Sequence, residues 1–196
     1  MNTILSICIP TYNRRDSLKQ GLNQLIDGLG EYAIPIYVSD NGSIDGTETM
    51  VRDIMEKYPF LIYSRNECNK GADFNFEKVL KMSETEYAWL LGDDDIIHCE
   101  FIEEIIEALS RYQLDIMVVN GYGGKSVRVR DIASKFYEDR NLLLHDIGWH
   151  MQWMSCLIFS RKLIQEADFE KYKDTYLLQY GIIFDYLARK QHSLAY

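Results

Sequence analysis

The chain has 196 residues, 47% hydrophobic and 26% charged, which is the size and composition of one globular domain with a single core. Its formal net charge of -9 repels a phosphate backbone, so bulk electrostatics argue against a nucleic-acid partner. Four scattered cysteines (Cys8, Cys68, Cys99, Cys156) without a C-x-x-C pair point to reduced thiols in a cytosolic protein, and no apolar run reaches the ~20 residues of a membrane span.

The N-terminal run carries no basic residue ahead of its short apolar stretch, and Pro10 ends it, so it reads as a strand rather than a signal peptide. Residues 4–9 are β-branched and continuously apolar, which suits a strand buried on both faces. Asp16 or Ser17 is expected to cap a helix with Leu18, Leu22, Leu25, Ile26 and Leu29 on one face, ended by Gly28 and Gly30. Residues 34–38 form the second expected strand. The turn Asp40-Asn41-Gly42-Ser43-Ile44-Asp45-Gly46 follows, then a helix from Thr47.

Residues 60–63 predict a third strand, 74–82 a helix, and 87–91 a fourth strand running into Asp93-Asp94-Asp95. Phe101, Ile102, Ile105, Ile106 and Leu109 mark an amphipathic helix, and residues 116–119 a fifth strand. Regular patterning lapses over 121–150. Residues 156–159 predict a further strand and 176–190 a last helix, while the closing HSLAY resembles the beginning of another strand. Strands alternating with helices at these lengths imply a single α/β domain with a mainly parallel sheet flanked by helices.

Open parallel sheets bind ligands beyond the carboxyl ends of their strands. Thr11, Tyr12 and Asn13, then Asp40, then Asp93, Asp94 and Asp95 all fall at that edge. PTYNRR replaces the dinucleotide fingerprint after strand one, and no P-loop occurs, so dehydrogenases and P-loop enzymes are disfavoured. A diphosphate in an acidic protein without a glycine cradle calls for a carboxylate-bound Mg²⁺ or Mn²⁺. The Asp triplet reads either as that cation's site or as an acidic turn before the next helix. Asp40 reads either as a turn-stabilising carboxylate or as a hydrogen-bond acceptor for a base or ribose. The aromatic segment 142–154, LLLHDIGWHMQWM, is either core packing or an acceptor-side surface where rings meet a sugar or a lipid-linked substrate.

Four segments carry a family resemblance: SICIPTYNR, VSDNGSIDGT, NKGADFN and WLLGDDDIIHCEF. Together they resemble the family 2 glycosyltransferases of the GT-A (Rossmann-like) fold, over about the first 110 residues. The GDDD form is similar to bacterial O-antigen and polysaccharide sugar transferases of the abequosyltransferase kind. The resemblance implies a nucleoside-diphosphate sugar donor, an Mn²⁺ or Mg²⁺ cofactor, and a glycan or lipid-linked glycan acceptor at the cytoplasmic face of the cell membrane, with any membrane contact peripheral. It places Pro10, Thr11 and Tyr12 at the base, Asp40 on the base or ribose, Lys70 near the nucleotide, Asp93 at the ribose, Asp94 on the metal and Asp95 as a supporting ligand.

Gly92 then stands at the family's first acidic position. Downstream, Gln179 and Tyr180 occupy the place of the family's acidic pair, and an amide cannot serve as a general base. Besides Gln179, the catalytic candidates are therefore His150, Asp146 and Asp185. The resemblance also implies that the chain, read as one domain over 1–196, lacks helices that shape the acceptor site in other members. Two alternatives stand beside it: a nucleotidyltransferase, which should carry a basic Gly-rich loop after strand one, and a non-catalytic nucleotide- or carbohydrate-binding module.

Overall fold

Aliphatic and β-branched residues at the start of the chain form β1 (Leu5–Thr11), buried along all seven positions. The computed structural model describes residues 3–123, 127–128, 133–190 and 195–196. After β1 come α1 (Arg15–Leu29), β2 (Ile36–Asp40), α2 (Thr47–Met55), β3 (Leu61–Arg65), α3 (Ala72–Met82), β4 (Tyr87–Leu90), α4 (Ile102–Arg111) and β5 (Ile116–Val118). A short ribbon, β6 (Tyr122–Gly123) and β7 (Val127–Arg128), precedes α5 (Arg140–Ile147), β8 (Leu157–Ser160), α6 (Arg161–Glu166), α7 (Phe169–Tyr172) and α8 (Leu178–Arg189).

The main sheet runs in the order β3-β2-β1-β4-β8-β5. β3, β2, β1 and β4 are mutually parallel, whereas β8 pairs antiparallel with both β4 and β5. Period-2 alternation divides the strand side chains between two cores. Leu5, Ile7, Ile9, Ile36, Val38, Trp89 and Ile158 face one core, which α1, α2 and α4 cover. Cys8, Tyr37, Ala88, Leu90, Leu157 and Phe159 face the other, which α3, α5, α6 and α8 cover. Helices on both faces explain why these strands read as continuous apolar runs rather than alternating ones.

Several local expectations are corrected. Neither Asp16 nor Ser17 caps α1. The carboxylate of Asp45, thirty residues downstream, accepts from the Arg15 N–H at 2.9 Å, and its other oxygen accepts from Thr47 at the start of α2. One side chain therefore ties the first turns of two helices together. Gly28 does not end α1 but lies inside it, at a position where a Cβ would fall 2.7 Å from Cys99 Sγ. Cys68 is exposed, while Cys8 and Cys156 are buried as expected.

The patternless stretch contains α5, capped by Asp139 onto the Asn141 N–H. It buries only Leu143 and Ile147, too few for a periodic signal. Of the expected terminal strand, residues 192–194 lie outside the described residues. Ala195 runs parallel beside Ile116, and Tyr196 exchanges backbone hydrogen bonds with Ile116 and Val118.

Candidate functional site

β1 leads to β2 and β3 on one side, while β4 lies on its other side, so a crevice opens beyond the carboxyl ends of β1 and β4. Thr11 and Asp93 meet there, with Thr11 Oγ1 donating to Asp93 Oδ2 at 2.7 Å. Asp93 is 8% exposed. Burial pushes its pKa up, while the Thr11 hydrogen bond and the nearby Arg14 oppose that shift. Arg14, from the turn after β1, bridges two carboxylates: its Nε lies 3.3 Å from Asp93 Oδ1 and its Nη2 2.6 Å from Asp94 Oδ2. Asp95 turns the other way and accepts from the hydroxyl of Ser155, a residue just ahead of β8.

The second wall comes from the turn after β2. Asn13, at φ 52°, accepts from the Ile44 N–H through Oδ1 and donates its own N–H to Ser43 Oγ, which clamps the β1 and β2 turns together. Asparagine is among the residues that best tolerate this left-handed backbone. Asn41 makes four hydrogen bonds: it donates to Asn69 Oδ1 and the Gly71 carbonyl, and accepts from Asn66 Nδ2 and the Lys70 N–H. That saturates its amide and fixes the loop carrying Lys70. Gly42 is obligatory, with φ 82° and a Cβ that would fall 2.9 Å from the Cys68 backbone.

Asp40 is fully buried. Its Oδ1 accepts from the Ser43 N–H at 2.8 Å and its Oδ2 from the Tyr63 hydroxyl. In this state the carboxylate closes its own turn, and burial together with Asp40 pushes the Tyr63 pKa up. Pro10 is buried within β1, Tyr12 is 41% exposed, and Lys70 is exposed with its ammonium 4.9 Å from the Phe74 ring centre.

The four catalytic candidates each have different hydrogen-bond or ion-pair partners. Asp146 pairs with Lys135 and His145, which lower its pKa to about 2. Asp185, in the second half of α8, pairs with Lys171 and Arg189 and is lowered as well. A carboxylate held ionised in this way is a weak base. Gln179, at the start of α8, donates to the Gln152 carbonyl at 2.8 Å. His150 is 97% buried, given its 3% exposure, between the half-exposed rings of Trp149 and Trp153. Its Nε2 lies 3.1 Å from the Val119 carbonyl, which can only accept, so Nε2 is the donor. Nδ1 has no hydrogen-bond partner.

The residues present suit a divalent cation in donor chemistry. Asp94 Oδ1 and Asp95 Oδ2 both face Gly92, where an added Cβ would meet them at 3.4 and 2.6 Å. Among the described residues, no three His, Cys, Asp or Glu side chains converge as a metal cage. Mg²⁺ typically takes one or two carboxylates and completes its shell with phosphate oxygens and water, so two carboxylates suffice. Sequence reasoning found the acidic turn but missed Arg14, Asn41 and Ser155. Arg14 was visible in PTYNRR as a cation beside a carboxylate-rich edge, whereas Ser155 gives no sequence signal because its partners lie 60 residues upstream.

A doubly covered sheet with an acidic turn at the β1–β4 crevice has the GT-A fold. The structure is similar to that of S. aureus TarS 1–349 in complex with UDP-GlcNAc, with a TM-score of 0.72, 19% identity and coverage of 98% of this chain and 55% of that one. It is also similar to glucosyl-3-phosphoglycerate synthase from Mycobacterium tuberculosis in complex with Mg²⁺ and UDP, with a TM-score of 0.67, 18% identity and coverage of 99% and 68%. The glycosyl transferase family 2 model matches residues 6–167, and the chain belongs to that family. Abequosyltransferase RfbV of Salmonella typhimurium is 40% identical over 97 residues, 48% of this chain and 29% of that protein. The chain therefore spans less than a third of that relative's length.

Proposed function

We propose that this domain binds a nucleoside-diphosphate sugar together with Mn²⁺ or Mg²⁺ at the β1–β4 crevice, and transfers the sugar to a hydroxyl of a growing cell-surface glycan, lipid-linked or free. The observation that carries the reading is the acidic turn held at the switch point by Thr11 and Arg14. Asp94 and Asp95 would hold the cation, whose chemistry is to offset the charge that develops on the diphosphate leaving group. Asp93, buried beside Thr11, would orient the ribose. Pro10, Tyr12 and the Lys70 loop would border the base and ribose, and Asp40 would act on them through the rigid turn it closes.

The acceptor would lie along the segment from Trp149 to Trp153, whose exposed rings offer apolar faces to a sugar or a lipid-linked chain. No described helix is long and apolar enough to cross a membrane. Any membrane contact in this reading is peripheral, on the cytoplasmic side. Of the four catalytic candidates, His150 is the one with a buried ring nitrogen, Nδ1, that has no hydrogen-bond partner. Gln179 supports a second reading, donor binding without transfer, because its amide cannot take the acceptor proton. A radiolabelled-donor assay separates the two. The proposal expects sugar release or transfer by the native chain and a loss of at least about a hundredfold in Asp94→Ala. Donor turnover at the native rate in Asp94→Ala would contradict the cation's place.

A further inference from the structure

Ser155 directly follows the aromatic segment ahead of β8, and its hydroxyl makes two hydrogen bonds to the acidic turn. The Gly92 N–H donates to Ser155 Oγ at 2.9 Å, and Ser155 Oγ hydrogen-bonds Asp95 Oδ2. The directions are fixed by chemistry. A backbone N–H can only donate and an ionised carboxylate can only accept, so the hydroxyl proton points at Asp95. The Ser155 backbone is pinned as well, since its carbonyl accepts from Trp89 Nε1 at 2.8 Å. Trp89 is 5% exposed in β4, the strand that delivers the turn.

Space gives an independent observation. Gly92 is buried, and a Cβ there would fall 2.6 Å from Asp95 Oδ2, 3.3 Å from its Cγ and 3.4 Å from Asp94 Oδ1. The Asp95 carboxylate thus fills the hollow that any side chain at 92 would occupy, next to Asp94. Asp94 Oδ2 is drawn the other way by Arg14, which leaves Asp94 Oδ1 on the same side as Asp95 Oδ2.

We infer that Ser155 is a positioning residue of the donor site, holding the Asp95 carboxylate in the hollow over Gly92 so that Asp94 and Asp95 present a preformed pair of oxygens to the cation of a cation–nucleoside diphosphate. The inference rests on the metal-dependent donor reading above. Gly92 and Ser155 form one device: the first supplies the room and an N–H, the second passes that hydrogen bond on to the carboxylate. Because Ser155 lies on the segment that carries Trp153, the same hydroxyl ties the acceptor-side surface to the donor turn.

The test is the Mn²⁺ concentration that half-saturates the protein in the presence of UDP, read from the electron paramagnetic resonance signal of free Mn²⁺, with thermal midpoints measured alongside. Ser155→Ala is expected to raise that concentration roughly tenfold, the effect of losing one hydrogen bond to a charged group. Ser155→Thr, which keeps the hydroxyl, returns it to within about twofold of native. Gly92→Ala raises it too, and adds little in the Ser155→Ala background because both changes act through Asp95. An Ser155→Ala variant that loses stability but keeps the native Mn²⁺ requirement would overturn the inference alone. Absence of Mn²⁺-dependent UDP binding in the native protein would overturn the donor reading, and this inference with it.

Discussion

Arg14 places a fixed positive charge between Asp93 and Asp94, where the proposed donor site needs a mobile one. Held on Asp94 Oδ2, the guanidinium would repel a cation on the same carboxylate's Oδ1. Arg14→Gln should therefore bind Mn²⁺ alone about two- to fivefold more tightly, the size expected of a half-exposed ion pair, as read by calorimetry without nucleotide. Asn41 has the opposite character, all structure and no exchange. Asn41→Ala removes four hydrogen bonds and leaves the Asn66 and Lys70 donors unpaired, so urea denaturation should register a loss of about 2–4 kcal/mol. At this scale the sequence exposed the carboxylates, because three adjacent aspartates after a buried strand are conspicuous. It could not expose the groups that aim them. Thr11, Arg14 and Ser155 reach Asp93–Asp95 across roughly 60 to 80 residues of chain, and such pairings exist only once the strands are ordered side by side.

Among the elements, α1 and α8 show where local pattern was sufficient and where it was not. The apolar face of α1 was legible from Leu18 to Leu29, but its N-terminal cap was not, since Asp45 supplies it from the next loop. Gly28 looked like a helix stop and is instead a contact point for Cys99. Gly28→Ala should lower stability by about 1 kcal/mol despite alanine's better helix propensity, and cost less in a Cys99→Ala background; thermal denaturation of the four proteins checks the coupling.

In α8, Asp185 links the helix to α7 through Lys171 and to its own next turn through Arg189. Its pKa is depressed, so its stabilisation is present above the unfolded carboxylate value near 4 and fades as pH falls through the lower folded value. Asp185→Asn should cost less than about 1 kcal/mol at neutral pH. The gap between variant and native melting points should narrow as pH falls through the lowered folded value, with turnover at neutral pH unaffected. A large loss of turnover would make Asp185 part of the chemistry instead.

For the whole molecule, the continuous apolar runs of β1 and β2 and the helices between them carried the α/β class and the direction of the sheet. The antiparallel insertion of β8 between β4 and β5 was not legible, because an apolar run of four residues has the same appearance in either direction. That insertion matters to the site, since it carries Ser155 to the acidic turn and sets the aromatic segment beside the crevice. The most direct measurement of the central claim is calorimetric titration of UDP, CDP, GDP and dTDP into the native chain and Asp94→Ala, each with and without Mn²⁺. The account predicts that one nucleotide binds the native chain only with Mn²⁺ and that Asp94→Ala abolishes the binding. Nucleotide binding indifferent to Mn²⁺, or no binding under any of these conditions, would contradict it.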